Sequence, residues 1–210
     1  MQSSFDLKNV ERQAWTAYYQ DGLWDIYLGL LLFVAALMST TLDRLENTLV
    51  RLLLYAGLAG GSYLLFWAGR RFLTFPRLGR ARFGAERRRK KARLGWVMAG
   101  FVTLNLLLLA LTAAANRDPQ TWGRWMPSGW GLMLLVGGFI GSVMACTAYF
   151  NDFTRGYYIA AVFALTFPAA EVFNSSAVFW VGGALVLLPG LVLLARFLAA
   201  HPRAVPAGPQ

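Results

Sequence analysis

Cysteine and histidine are nearly absent: Cys146 and His201 are the only ones in the 210-residue chain. A single cysteine excludes an intramolecular disulfide. One of each excludes a Cys/His zinc cluster and an intramembrane Ser–His or Cys–His pair. Acidic residues are scarce too, ten Asp and Glu against twenty Lys and Arg. Charged residues make up only 14% of the chain, far below the share of a soluble domain. The start, MQSSFDLKNVERQ, has no short apolar core of the secretory type, so insertion is expected to rest on the first apolar run itself. No Walker-type phosphate loop or zinc-binding histidine motif is present, and nothing calls for a cofactor.

What the chain does have is apolar length, with 57% hydrophobic and 15% aromatic residues. Six runs carry it, about Leu23–Leu42, Val50–Ala68, Leu94–Ala115, Gly129–Tyr149, Gly156–Phe173 and Ala177–Leu198. A helix of about 20 residues is about 30 Å long and matches the hydrocarbon core of a bilayer. The expected fold is therefore all-α, a polytopic six-helix transmembrane bundle over residues 21–198. Before it, Ser3 to Gln20 carries Leu7, Val10 and Ala14 at helical spacing among polar residues, with Trp15, Tyr18 and Tyr19 as headgroup anchors. That segment predicts an amphipathic helix lying on the membrane surface. The tail 199–210 reads as flexible.

The basic loop from Arg70 to Arg93 orients the rest. It holds eleven of the twenty Lys and Arg residues and one acid, Glu86. Basic residues resist translocation, so this loop is expected on the cytoplasmic side of a cell inner membrane, with both termini beside it. Six spans then put sixteen basic residues inside and four outside. A net charge of +10 is explained by this bias, and no nucleic-acid partner is expected. Within the loop, Pro76 and Gly79 are expected to interrupt a helix leaving the second span. From Ala85 onward the composition favours a charged helical stalk feeding the third span.

Small residues mark expected helix contacts. Gly57 and Gly61, and likewise Gly137 and Gly141, have the spacing that lets helices approach closely, with packing inside the fold as the plainer reading. Cys146 reads as a small buried hydrophobe. Pro168 is expected to bend or break the fifth span.

Ionisable or amide groups in or beside spans each require a reason. Asp21 and Asp25 lie one helical turn apart at the mouth of the first span. Asp152 and Arg155 fall in the turn after the fourth. The four read either as a polar vestibule that binds a cation or passes protons, or as an Asp–Arg pair pinning the N-terminal segment. Asn105, near the middle of the third span, reads as an interhelical hydrogen bond or a pathway residue. Glu171 is a proton or cation site if it faces a cavity, and otherwise reaches the outer headgroups. Arg87, Arg88, Arg89, Lys90 and Lys91 read as a contact for anionic phospholipid or for a cytoplasmic protein partner.

The stretch Asp21-Gly22-Leu23-Trp24-Asp25-Ile26-Tyr27-Leu28-Gly29 resembles the start of small uncharacterised prokaryotic multi-span membrane proteins, in which an acidic-Gly-Leu segment precedes the first span. The resemblance covers nine residues and implies no activity. Asn151-Asp152 resembles the opening of the acidic motif of membrane prenyltransferases, but Arg155 stands where a later acid belongs. The function these features suggest is a non-enzymatic accessory or scaffold subunit, able to form a homo-oligomer, whose basic loop makes its cytoplasmic contact. A small-solute or ion permease is the alternative, and a membrane enzyme acting at the cytoplasmic interface a second one.

Overall fold

The computed structural model describes Tyr19 and residues 21–40, 45–78, 85–117 and 129–201. Apart from Tyr19, the segment expected as a surface helix lies outside these residues. So do Gly79, residues 118–128 and the tail from 202.

All regular structure among the described residues is helical. The order is α1 (Leu23–Thr40), α2 (Thr48–Gly69), a π-helical turn (Arg70–Thr74), α3 (Phe75–Leu78), α4 (Ala85–Arg117), α5 (Trp130–Phe150), α6 (Arg155–Val172) and α7 (Ala177–Ala200). Among the described residues four stretches are long and apolar enough to cross a membrane: Leu23–Thr40, Thr48–Arg77, Trp130–Phe150 and Ala177–Ala200. Leucines on α2 such as Leu49, Leu52, Leu53, Leu64 and Leu65 stand exposed. Such a face is a liability in water and ordinary in lipid.

The chain divides into two units, Met1–Arg82 with Ser176–Gln210, and Phe83–Ser175. In the first, α1 packs against both α2 and α7 and runs antiparallel to each. Against α7 the contact is backbone on backbone. A Cβ on Gly29 would lie 2.7 Å from the Leu187 Cβ, and one on Gly183 would lie 2.7 Å from the Phe33 ring. Phe33 and Trp180 extend this contact, with ring centroids 5.4 Å apart. Against α2 the contact is aromatic: Trp24 and Tyr27 pack on Phe66 at 4.7 and 5.2 Å. The Asn47 side chain opens α2 by accepting from the amides of Leu49 and Val50 at 3.0 and 3.3 Å, the usual way an amide oxygen satisfies a helix start.

In the second unit α5 and α6 form a close antiparallel hairpin. Gly137 lies against the Ala164 carbonyl, and a Cβ on Gly141 would lie 2.7 Å from the Ala164 Cβ. Pro168 has no N–H, so Ala164, four residues earlier, lacks its intrahelical donor. The bare Cα of Gly137 fills that side, which is the contact that small residues permit between membrane helices. The expected packing of Gly137 and Gly141 is therefore made. Helix α4 meets α5 antiparallel through Phe101 and Phe139, 5.5 Å apart.

Both α5 and α6 end in a 6→1 and 5→2 hydrogen-bond pair. After α5 these run from Phe153 to Ala148 at 2.9 Å and from Asp152 to Tyr149 at 3.2 Å. After α6 they run from Ser175 to Ala170 at 3.0 Å and from Asn174 to Glu171 at 3.1 Å. The motif needs a left-handed residue at its centre. Asp152 (φ 52°) and Asn174 (φ 45°) supply it, as short polar side chains can.

Several expectations are corrected. The helix leaving α2 is not interrupted at Pro76 but runs to Leu78. It widens first: the Phe75 amide bonds the Arg70 carbonyl five residues back, and this looser turn relieves the clash that Pro76 would bring to a tight helix. The Arg77 guanidinium then donates to the Leu73 carbonyl at 3.0 Å. Of the bend or break expected at Pro168, the break is not made, since helix α6 continues through it to Val172. Among the described residues Gly57 and Gly61 make no close helix contact, since a Cβ on either, or on Gly60, would meet nothing within 4 Å. Cys146 is half-buried rather than buried.

Candidate functional site

The most enclosed polar groups lie in the first unit, where α1 begins and α2 ends. Gly22, at φ +77°, turns the chain into α1. This turn aims the Asp21 carboxylate back at the helix start, where Oδ1 accepts from the Leu23 amide at 3.1 Å. An Asp in this place satisfies an orphan N–H and complements the positive helix end. Its other oxygen, Oδ2, accepts from the Thr74 hydroxyl at 2.8 Å. Asp21 and Thr74 are 0% and 1% exposed. A carboxylate this deep is tolerated only when its lone pairs are engaged.

Asp25, one turn along α1, is also buried, and Gly190 of α7 packs on its Cβ. Arg70 is the third buried charge. Its guanidinium lies over the rings of Phe66 and Trp24, at 4.8 and 5.4 Å from their centroids. Tyr19 stacks on Trp24 at 6.1 Å. The widened turn holds both Arg70 and Thr74, which ties its irregular geometry to the polar cluster. π-turns of this kind often mark functional positions. Chemically the cluster offers two carboxylates, a guanidinium, a hydroxyl and aromatic faces in a space closed to water, suited to holding charge or a proton.

Neither Arg70 nor Thr74 stood out in the sequence as a site residue. Arg70 reads there as the first charge of the basic loop, and Thr74 as an isolated hydroxyl. The available signal was position: Arg70 is less than one turn past the apolar run of α2.

The other candidates belong to the second unit. Asp152 receives an ion pair from Lys90 at 3.4 Å, half exposed and so worth little by itself. Arg155 lies over the Phe153 ring at 5.6 Å. Asn151 is buried and its amide donates to the Thr147 carbonyl at 2.8 Å. Asp21 and Asp25 thus sit in one unit, Asp152 and Arg155 in the other. Asn105 is exposed on α4, so the interhelical hydrogen bond expected of it is not made among the described residues. Glu171 is exposed near the end of α6, its Oε1 3.8 Å from where a Cβ on Gly129 would stand. That puts a carboxylate at the start of α5, where it complements the helix dipole. Glu171→Gln is expected to lower the thermal midpoint in detergent by an amount equivalent to no more than about 1 kcal/mol. A larger fall would mean that Glu171 does more than offset that dipole.

Arg87 and Arg88 are helical positions of α4, and Arg89, Lys90 and Lys91 are exposed on it. Among the described residues no group of three or more His, Cys, Asp or Glu is placed to hold a metal ion.

Among the described residues, fold and site define an all-α protein with four helices long and apolar enough to cross a membrane, and a buried polar cluster at one end of α1. Comparison with protein-family models, with curated proteins and with solved structures finds no match.

Proposed function

We propose that this is a six-span inner-membrane protein that serves as a non-enzymatic accessory or scaffold subunit, with its basic stalk as the cytoplasmic docking element. One observation carries the reading. Helix α4 runs unbroken for 33 residues from Ala85 to Arg117. At about 1.5 Å per residue it is about 50 Å long, well beyond a hydrocarbon core of about 30 Å. Its apolar part fills the bilayer from Leu94, and the excess is the basic stretch Ala85–Arg93. The stalk is therefore a rigid charged rod joined directly to a span, a form that suits docking better than a slack tether.

The close hairpin supports α6 as a span. A helix packed along α5 by Gly137, Gly141 and Gly156 crosses wherever α5 crosses. Six spans, with the stalk inside by the positive-inside bias, put both termini in the cytoplasm. The exposure of Asn105 and Glu171, and the pairing of Asp152 with Lys90, give less support to a permease built on those residues. The buried carboxylates Asp21 and Asp25 are what favour that second reading. A proteoliposome flux lost in Asp25→Asn would establish it.

The docking role is tested by co-purification from native membranes, with Arg87, Arg88, Arg89, Lys90 and Lys91 changed together to Gln. A stoichiometric protein partner is expected with the native chain and at least about tenfold less of it with the variant, for five charges near a surface. Accessibility labelling of both termini must show equal insertion. Absence of any partner from the native preparation would remove the scaffold reading.

A further inference from the structure

We infer that one face of α4 is a binding site for an anionic phospholipid, with Arg89 and Arg93 gripping the phosphate. The face follows from helix geometry and exposure together. At about 100° per residue, positions 89, 93, 96, 100, 103 and 107 fall within a narrow stripe down the helix. The residues there are Arg89, Arg93, Trp96, Gly100, Thr103 and Leu107, and every one is exposed. Trp96 is 81% exposed, and a Cβ on Gly100 would meet nothing within 4 Å. The Thr103 hydroxyl is turned back onto the Ala99 carbonyl at 3.0 Å, so the helix itself satisfies that group.

Read from the stalk inward, the stripe has the polarity of a phospholipid. Two guanidiniums one turn apart present paired donors, the geometry that binds phosphate oxygens bidentately. Trp96 comes next, a residue suited to the level between headgroup and acyl chain. Gly100 leaves a shallow slot beneath it, and Leu107 lies where an acyl chain would run. With the apolar part starting at Leu94, Arg93 and Arg89 stand about 1.5 and 7.5 Å above it, roughly the depth of the headgroup layer. Lys90 lies about 100° around the helix from Arg89 and is committed to Asp152. Phe101, which packs on Phe139 of α5, is on that side too. Stripe and protein contact thus occupy different sides of α4. Positions 87 and 88 also lie off the stripe, about 160° and 100° away.

The proposal rests on α4 entering the bilayer, which alkaline carbonate extraction of each variant checks separately. The test titrates the purified full-length chain in neutral detergent with phosphatidylglycerol or phosphatidylcholine and counts bound lipid by native mass spectrometry. The native chain is expected to prefer phosphatidylglycerol at least about tenfold. Arg89→Gln with Arg93→Gln is expected to remove most of that preference. Arg87→Gln with Arg88→Gln, equal in charge removed, is expected to keep it within about twofold. Arg89→Lys with Arg93→Lys keeps the charge without the fork and is expected to fall between. Equal losses in the two Gln pairs would overturn the site in favour of diffuse attraction. No preference in the native chain, or a preference that survives Arg89→Gln with Arg93→Gln, would overturn it too. So would release of a co-purifying protein by that pair with lipid binding unchanged.

Discussion

Asp21→Ala is expected to destabilise the detergent-solubilised protein by about 3 kcal/mol, a fall of about 8 °C in the thermal midpoint for a chain of this size. Two losses add. The Leu23 amide loses its cap, and the Thr74 hydroxyl loses a charged acceptor, both in a place water does not reach. Thr74→Val removes the second contact alone, for about 2 kcal/mol. Asp21→Asn keeps an acceptor for the Leu23 amide, and the Thr74 hydroxyl is able to rotate to accept from the new amide group. Its cost therefore isolates the charge. If the negative charge of Asp21 offsets Arg70 in the cluster, Asp21→Asn costs nearly as much as Asp21→Ala; if hydrogen bonding is the whole of it, the cost is under about 1 kcal/mol. Changes below about 0.5 kcal/mol in both Asp21→Ala and Thr74→Val would contradict the buried geometry itself.

How far this cluster was legible follows from what sequence periodicity records. Asp21 and Asp25 were visible because an acid beside an apolar run is costly and therefore conspicuous. Arg70, the buried cation of the widened turn, was not, because it stands at the head of eleven basic residues, where one more charge carries no signal. Pro76 misled for a related reason. A proline rule assumes a tight helix, and the π-turn at Arg70–Thr74 removes that assumption. The helix ends came out close: α1, α2, α5, α6 and α7 begin and end within a few residues of the apolar runs, and α4 begins at the Ala85 read as the base of a stalk. Run length fixes where a helix lies along the chain. It does not say which face is covered: among the described residues Asn105 is exposed and a Cβ on Gly57 or Gly61 meets nothing.

The glycines offer the sharpest contrast for experiment. A Cβ on Gly190 would stand 2.8 Å from the Asp25 Cβ and 2.9 Å from the Ile26 backbone nitrogen, both on α1. Neither atom belongs to a flexible side-chain end, so the helices themselves must separate. Gly190→Ala is accordingly expected to cost about 3 kcal/mol despite adding one methyl group, the upper range for overpacking. It should also loosen Asp25, which that backbone contact helps to bury. Gly57→Ala and Gly61→Ala make the same chemical change on α2 in open space. Alanine is the better helix former, so their effect is expected to be neutral or slightly stabilising, within about 1 kcal/mol. Thermal unfolding of the three variants in one detergent decides the matter. Equal damage at all three positions would mean that glycine is required on α2 by a contact outside its own unit, and that the exposed side of that helix is covered in the membrane.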